Sequence, residues 1–483
     1  MKQTDYLIIG AGIAGLSAAY SLSELGSVTV ILKGKLKKNN DYWVQGGIAA
    51  VMNKEDSFES HINDTLKTGA GHCNEHAVRY LVEHAPKAIR FLESIGLKFK
   101  KEHSLESGHS YKRVLHTSDS TGQDVLNKLI KVCKKKKNIK FLEETDVIKL
   151  ITNNDYCTGA YIKNIKKTEI DTIISNNVIL ATGGAGRLFS KTTNVLASTG
   201  DGLALALKAG LELKDLEFIQ FHPTALAEPD NSRYFLLPES LRGAGAKIID
   251  QNGDSFLQNF DKRAELAPRD LVSRAVHFEL MNGSVYLNMR HLSLPELKNN
   301  FPNITKKLNE YGFNLAEDLI PIMPVVHYFC GGVPVNLKGA TKLTGLFAIG
   351  EVACTGVHGA NNLASNSLLE DIVFAQSMVE NLKKTTSENK KEKTVIKTNF
   401  PEISTEQEGN VGGYNRRIGR LMWKNIGLVR SKDSMEKAKK EISSMPARDY
   451  HIQNSQMVCI KIIEACLKRK ESLGVHYVAE GLN

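Results

Sequence analysis

A short apolar run at residues 6–9 leads directly into the glycine turn GAGIAG at 10–15. An Ala/Leu-rich stretch with helical spacing follows at 16–25 and stops at Gly26, and a second apolar run occupies 28–32. Strand-type runs on either side of a helical segment predict a βαβ unit with parallel strands. Two more apolar runs end in glycine turns, 178–180 before ATGGAG at 181–186 and 346–349 before Gly350 and Glu351. Their recurrence predicts far-apart parts of one nucleotide-binding domain, residues 1–215 and 328–393, interrupted by an inserted domain at 216–327. The polar, Lys- and Thr-rich stretch 381–398 reads as a linker or exposed loop. Beyond it, helical spacing at 414–426, 434–442 and 456–470 predicts a C-terminal helical domain within 394–483.

A GxGxxG pattern gains meaning from its setting between a strand and a helix. Gly10 permits the tight turn, Gly12 lets backbone approach a pyrophosphate, and Gly15 lets helix pack on strand, with phosphates at the helix N-terminus. One expected part is missing. The second strand closes on Lys33, where a generic fingerprint has an acid for the ribose hydroxyls. Glu351 is the candidate to supply that acid.

Composition narrows the class. The 483 residues are 42% hydrophobic and 24% charged, enough chain for two or three domains with real cores. The net charge of +10 comes from scattered lysines and short runs such as 134–137, with no aromatic-studded basic motif. A solvated surface that concentrates anionic substrate is expected, and no nucleic-acid partner. No apolar stretch approaches the roughly 20 residues of a membrane helix, and no signal peptide fits before the first strand, so a cytoplasmic protein without a membrane partner is expected. Seven cysteines with no CxxC spacing support neither a metal site nor a disulfide framework. Cys330 and Cys354, inside motif segments, read as small buried hydrophobes.

The chemistry gathers in the middle of the chain. EFIQFHPTAL (217–226), LLPESLRGAGA (236–246), ELAPRD (265–270) and HYFCGG (327–332) bring His222, Arg242, Arg269 and His327 to what reads as one anion-binding pocket. A redox cofactor and a carboxylate receptor are thus written into one polypeptide.

These segments, with QGGIAAV (45–51), GAGHCNEHAV (69–78), HTSDSTG (116–122) and HGANNLASNSLLE (358–370) in this order, resemble the L-aspartate oxidase branch of the succinate dehydrogenase and fumarate reductase flavoprotein family. The likeness runs from the first strand to ESLGVHY (471–477). It implies an α/β fold: a Rossmann-like FAD-binding domain, an inserted α+β capping domain and a C-terminal helical domain. It also implies noncovalent FAD, held by Gly10, Ala11, Gly12, Ile13, Ala14, Gly15 and Lys33. Asn40, Asp41, Tyr42, Trp43, Val44, Gln45, Gly46 and Gly47 would continue the cofactor site, and Asp201, Glu351, Ser367 and Leu368 would complete it. The dehydrogenase branch ties its flavin to a histidine just before QGG; residues 40–47 contain none.

The same resemblance makes His222 and His327 carboxylate ligands, protonated in this reading, with Gln220 a neighbouring donor and Arg269 at the reacting carbon. Glu239 and Arg242 form a proton relay, and Glu106 in LESGHS faces a substrate ammonium. The implied reaction is oxidation of L-aspartate to iminoaspartate, with O2 or fumarate as acceptor, at the head of quinolinate and NAD synthesis; contact with quinolinate synthase is left open. Arginine titrates above pH 12, so Arg269 suits a proton donor to fumarate and is a poor base. Three departures stand out. Asn40-Asp41 replaces the usual Ser-Thr, Pro238 replaces a threonine, and Asn362 replaces the arginine that clamps a substrate carboxylate, with Arg233 the candidate stand-in. A soluble fumarate reductase or succinate-oxidising enzyme, and a flavin-binding homologue of low turnover, are the alternatives.

Overall fold

The computed structural model describes residues 2–36, 46–167, 169–230, 233–388, 411–447 and 449–479. Its centre is a five-stranded, fully parallel sheet in the order Leu346–Ala348, Val178–Leu180, Tyr6–Ile9, Val28–Ile31, Ile139–Leu142. Successive side chains of a strand point to opposite faces, and the sheet sorts them accordingly. Tyr6 and Ile8 enter an apolar cluster with the helices Ile13–Leu22, Glu75–Ser94, Thr121–Cys133 and Asn366–Glu388. Leu7 and Ile9 enter a second cluster on the other face. Both faces are covered, as a parallel sheet requires. The predicted βαβ unit is present, its helix ending at Leu22 rather than Leu25.

The second cluster is shared. A four-stranded sheet of Lys2–Gln3, Ile170–Ile174, Tyr156–Asn164 and Thr145–Asn153 adds to it through Leu150, Ala160, Ile162 and Ile173. The C-terminal helices Val411–Asn425, Lys432–Ser443 and Tyr450–Lys468 complete it through Ile418, Met422, Met435, Ala438, Val458 and Ile462. These helices therefore close the core of the parallel sheet and do not pack only on one another. The last begins at Tyr450, six residues before the expected start, because Asp449 caps it by accepting the His451 amide at 2.7 Å. The expected linker at 381–398 is corrected in part. Helix Asn366–Glu388 runs through residues 381–388, anchored by Leu382 in the first apolar cluster, and 389–398 lie outside the described residues.

A third cluster, from Leu226 to Ile322, fills the inserted segment. There a five-stranded antiparallel sheet, in the order Arg233–Leu236, Ile219–Asp230, Ile320–Phe329, Tyr286–Asn288, Lys247–Ile249, packs with helix Arg269–Glu279. Its two long strands cross between clusters. Ile219, Phe221, Val326 and Phe329 belong to the second, and Leu226, Ile320 and Ile322 to the third.

Candidate active site and cofactor cavity

Both predicted histidines sit where the long strands lose register. Gln220 pairs with Tyr328 and Phe221 with Val326, which leaves His327 as the extra residue on its strand. A second shift separates the pairs His222 with Val325 and Ala225 with Met323. Bulges re-aim side chains, and here both imidazoles line one cavity, 5.2 Å apart between ring centroids. His222 Nδ1 accepts the Thr224 amide at 3.3 Å, so the proton of the neutral ring is on Nε2. Burial, followed by the charge of Arg269, holds His222 well below the usual histidine range and His327 down at about 3. The expectation of protonated histidines is corrected: they are neutral donors, because a buried imidazolium beside a guanidinium is doubly penalised.

The fixed charge comes from arginine. Arg269 opens its helix and donates from Nη1 to Gln220 Oε1 at 2.7 Å and from Nη2 to Glu239 Oε2 at 2.8 Å. Glu239 Oε1 accepts from Arg242 Nη2 at 2.7 Å, so Arg269 and the two residues of the expected relay are contiguous. Burial opposes ionisation of Glu239, but Arg269 and Arg242 outweigh it and bring its pKa down to about 2. Asp270, next to Arg269 in the chain, pairs with Arg274 at 2.9 Å and not with Arg269.

Glu106 lines the same cavity and accepts a hydrogen bond from Ser365 Oγ at 2.6 Å. Ser365 holds a left-handed φ of 63°, strained for a residue with a side chain. Burial, and then the negative charge of Glu239, push Glu106 up to about 7.

Two expected substrate ligands lie elsewhere. Gln220 Nε2 donates to Asn361 Oδ1 at 2.6 Å and to the Asn362 carbonyl at 2.8 Å, which uses both its hydrogens. Gln220 therefore orients Arg269 and has no donor left for a ligand. Asn362 is not among the residues that line the cavity, and its Oδ1 and Nδ2 are buried without a partner among the described residues. Arg242 does not line the cavity either, whereas Arg233 does.

The cavity continues to the glycine turn, lined by Gly10, Ala11, Gly12, Ile13 and Ala14, with Lys33, Gly46, Gly47, Asp201, Glu351, Ser367 and Leu368. Gly10 has φ 113°, and a Cβ there would come 2.0 Å from the Ala181 carbonyl oxygen. A Cβ on Gly12 would meet nothing within 4 Å, so this backbone faces open space that a diphosphate can enter. Gly15 packs instead of lining: its Cβ would come 2.3 Å from the Gly10 carbonyl oxygen. The residues present thus fit a dinucleotide. Asn40, Asp41, Tyr42, Trp43, Val44 and Gln45 lie outside the described residues.

Residues 5–368 match a family described as FAD binding domain. The chain is 36% identical over 514 residues to L-aspartate oxidase of Pseudomonas aeruginosa, covering 99% of this chain and 95% of that protein. To L-aspartate oxidase of Vibrio cholerae it is 38% identical over 512 residues, covering 99% and 96%. The chain belongs to the L-aspartate oxidase family. It is an FAD-dependent oxidoreductase. A mutant FrdA of E. coli quinol fumarate reductase superposes with a TM-score of 0.89 at 27% identity, covering 100% of this chain and 92% of that one.

Within this family fold, Glu351 has a role the sequence did not reveal. Its oxygens accept the amides of Phe329 at 2.9 Å and Gly184 at 3.1 Å, bracing the strand of His327 against the turn at 181–186. Lys33 pairs with Asp201 at 2.9 Å. Asp146, Thr193, Asn194, Tyr450, His451 and Asn454 also line the cavity and were missed. Only Asp146 left a local signal, an acid shortly after the apolar run that forms strand Ile139–Leu142. Cys330 and Cys354 are buried, off the cavity, with thiols pushed up by burial. Among the described residues no helix is long and apolar enough to cross a membrane.

Proposed function

We propose that the enzyme oxidises L-aspartate to iminoaspartate, with O2 or fumarate accepting the electrons, as the first step of quinolinate and NAD synthesis. The observation that carries this reading is Glu106 in one cavity with Arg269, His222 and His327. A carboxyl that can face an ammonium stands beside donors that can face carboxylates. The names of the relatives support the same substrate.

FAD, when bound, accepts the hydride that leaves Cα. Arg269, pinned by Gln220 and Glu239, presents a fixed positive charge to a carboxylate without reorganising. His222 adds a neutral Nε2 donor. Glu106 favours an amino acid over a plain dicarboxylate, because an ammonium restores its ionised form whereas a plain dicarboxylate brings no cation to pair with it.

Anaerobic mixing of the FAD-loaded protein with substrate tests the reading. L-aspartate is expected to bleach the flavin absorbance, succinate to leave it unchanged, and fumarate to restore it. Bleaching by succinate alone would support the fumarate reductase reading, which the likeness to FrdA favours. No bleaching by either would leave a flavin-binding protein of low turnover.

A further inference from the structure

Glu106 reaches the cavity from residues 105–113, a stretch that is neither helix nor strand and so depends on outside partners to hold it. Those partners converge on His109. Its amide donates to the Glu106 carbonyl at 3.1 Å, and its buried ring stands between two groups, with Arg113 Nη1 3.1 Å from Nδ1 and the Ala364 carbonyl 2.9 Å from Nε2. A guanidinium can only donate, so Nδ1 accepts and the single proton of the neutral ring is on Nε2, aimed at Ala364. Burial, with the charge of Arg113 acting in the same sense, holds the ring down at about 4. Arg113 is itself fixed, since Asp56 accepts from Nε at 2.8 Å and from Nη2 at 2.9 Å, and Asp64 accepts from Nη1.

Ala364 precedes Ser365, the residue in the left-handed region whose hydroxyl donates to Glu106 Oε2 at 2.6 Å. The Ser365 carbonyl accepts the Ala49 amide at 3.1 Å. The strained residue is therefore held at its own carbonyl and at the one before it, and the second hold is the His109 ring. Among the described residues Ser365 is the one side chain that hydrogen-bonds Glu106. The other groups that face this carboxyl are Glu239, Arg269 and Arg242, acting by charge, and His116, whose Nε2 lies 3.6 Å from Oε1 and whose ring burial holds down at about 4. Besides Arg113, His109 is faced by Asp64, Glu239 and the ring of His61.

We propose that His109 is a positioning residue for Glu106: by holding the Ala364 carbonyl it keeps Ser365 in the conformation from which the hydroxyl reaches the carboxylate that meets the substrate ammonium. The part played by the ammonium rests on the amino-acid substrate proposed above. Without the imidazole donor the Ala364 carbonyl loses its partner, and Ser365 relaxes out of the left-handed region with its hydroxyl. Glu106 then loses a hydrogen bond that favours its ionised form, and its titration moves to higher pH.

Two substitutions separate the ring nitrogens. His109→Asn keeps an acceptor where Nδ1 stands and is too short to reach Ala364, whereas His109→Gln places an amide nitrogen near the position of Nε2. Glu106 is titrated by infrared spectroscopy in the FAD-loaded full chain, its carboxyl band identified by its loss in Glu106→Gln, and the KM for L-aspartate is measured over the same pH range. In His109→Asn both midpoints are expected to rise by about one pH unit, the scale of a hydrogen bond to a charged group, and in His109→Gln to return toward those of the unaltered protein. A His109→Asn protein that is less stable but titrates as before would overturn the proposal, because a purely structural histidine predicts that result. Failure of His109→Gln to restore the midpoint would overturn it as well. If His109→Asn does not fold, Ser365→Gly keeps the left-handed φ and loses the hydroxyl; the same rise is expected there, and its absence would sink the proposal. A shifted Glu106 titration in a protein that does not oxidise L-aspartate would instead strike at the amino-acid reading, and would leave the hold of His109 on Glu106 standing.

Discussion

At the residue scale the site is a set of buried charges that hold one another. Glu239 stands between Arg242 and Arg269, and removing it leaves two guanidinium groups without their anion. Glu239→Gln is expected to destabilise the protein by about 3–5 kcal/mol in urea unfolding. Because its carboxyl is lowered from 4.5 to about 2, the stability it contributes is present above pH 4.5 and is lost as pH falls toward 2. Glu106 behaves in the opposite sense. Raised to about 7, it is protonated below that pH and cannot pair with an ammonium. The KM for L-aspartate is therefore expected to rise as pH falls below 7, and this dependence is expected to vanish in Glu106→Gln. A KM profile of the variant that still rises would assign the titration to another group.

At the scale of elements, the strand-turn-helix corner separates two roles that one motif conceals. Gly10→Ala drives a Cβ to 2.0 Å from the Ala181 carbonyl oxygen at a φ of 113°, and should lower thermal stability and FAD binding together. Gly12→Ala places its Cβ in open space, and should leave the melting temperature of the apoprotein nearly unchanged while weakening FAD. Thermal unfolding with and without FAD separates the two outcomes. The long strands add a lesson about pairing: His222 lies opposite Val325, two residues from His327, so strand pairing brings to one cavity two histidines that are far apart in the chain.

Across the whole molecule, the C-terminal helices share a cluster with Leu7, Ile9 and Leu180 of the parallel sheet. Deleting residues 411–483 would bare that apolar face, and the truncated chain is expected to be insoluble when expressed; a soluble, FAD-binding product would refute this. The net charge of +10 acts over a longer range. Rising salt should lower kcat/KM for the anionic substrate several-fold with little change in kcat, because screening weakens approach and not the buried contacts.

The sequence by itself determined what local chemistry dictates: the strand-glycine-helix corners, the apolar runs of the parallel sheet, and the segments carrying Glu106, His222, Glu239, Arg269 and His327. Glycine conformation and apolar periodicity act over a few residues and can be read one segment at a time. Only the tertiary structure decided that Gln220 turns to Arg269 and away from the cavity, that the histidines are neutral, and that Asp146 meets Tyr450 across 304 residues of chain. Such outcomes depend on burial and on which distant groups share a hydrogen bond, and neither is encoded in the spacing along the chain.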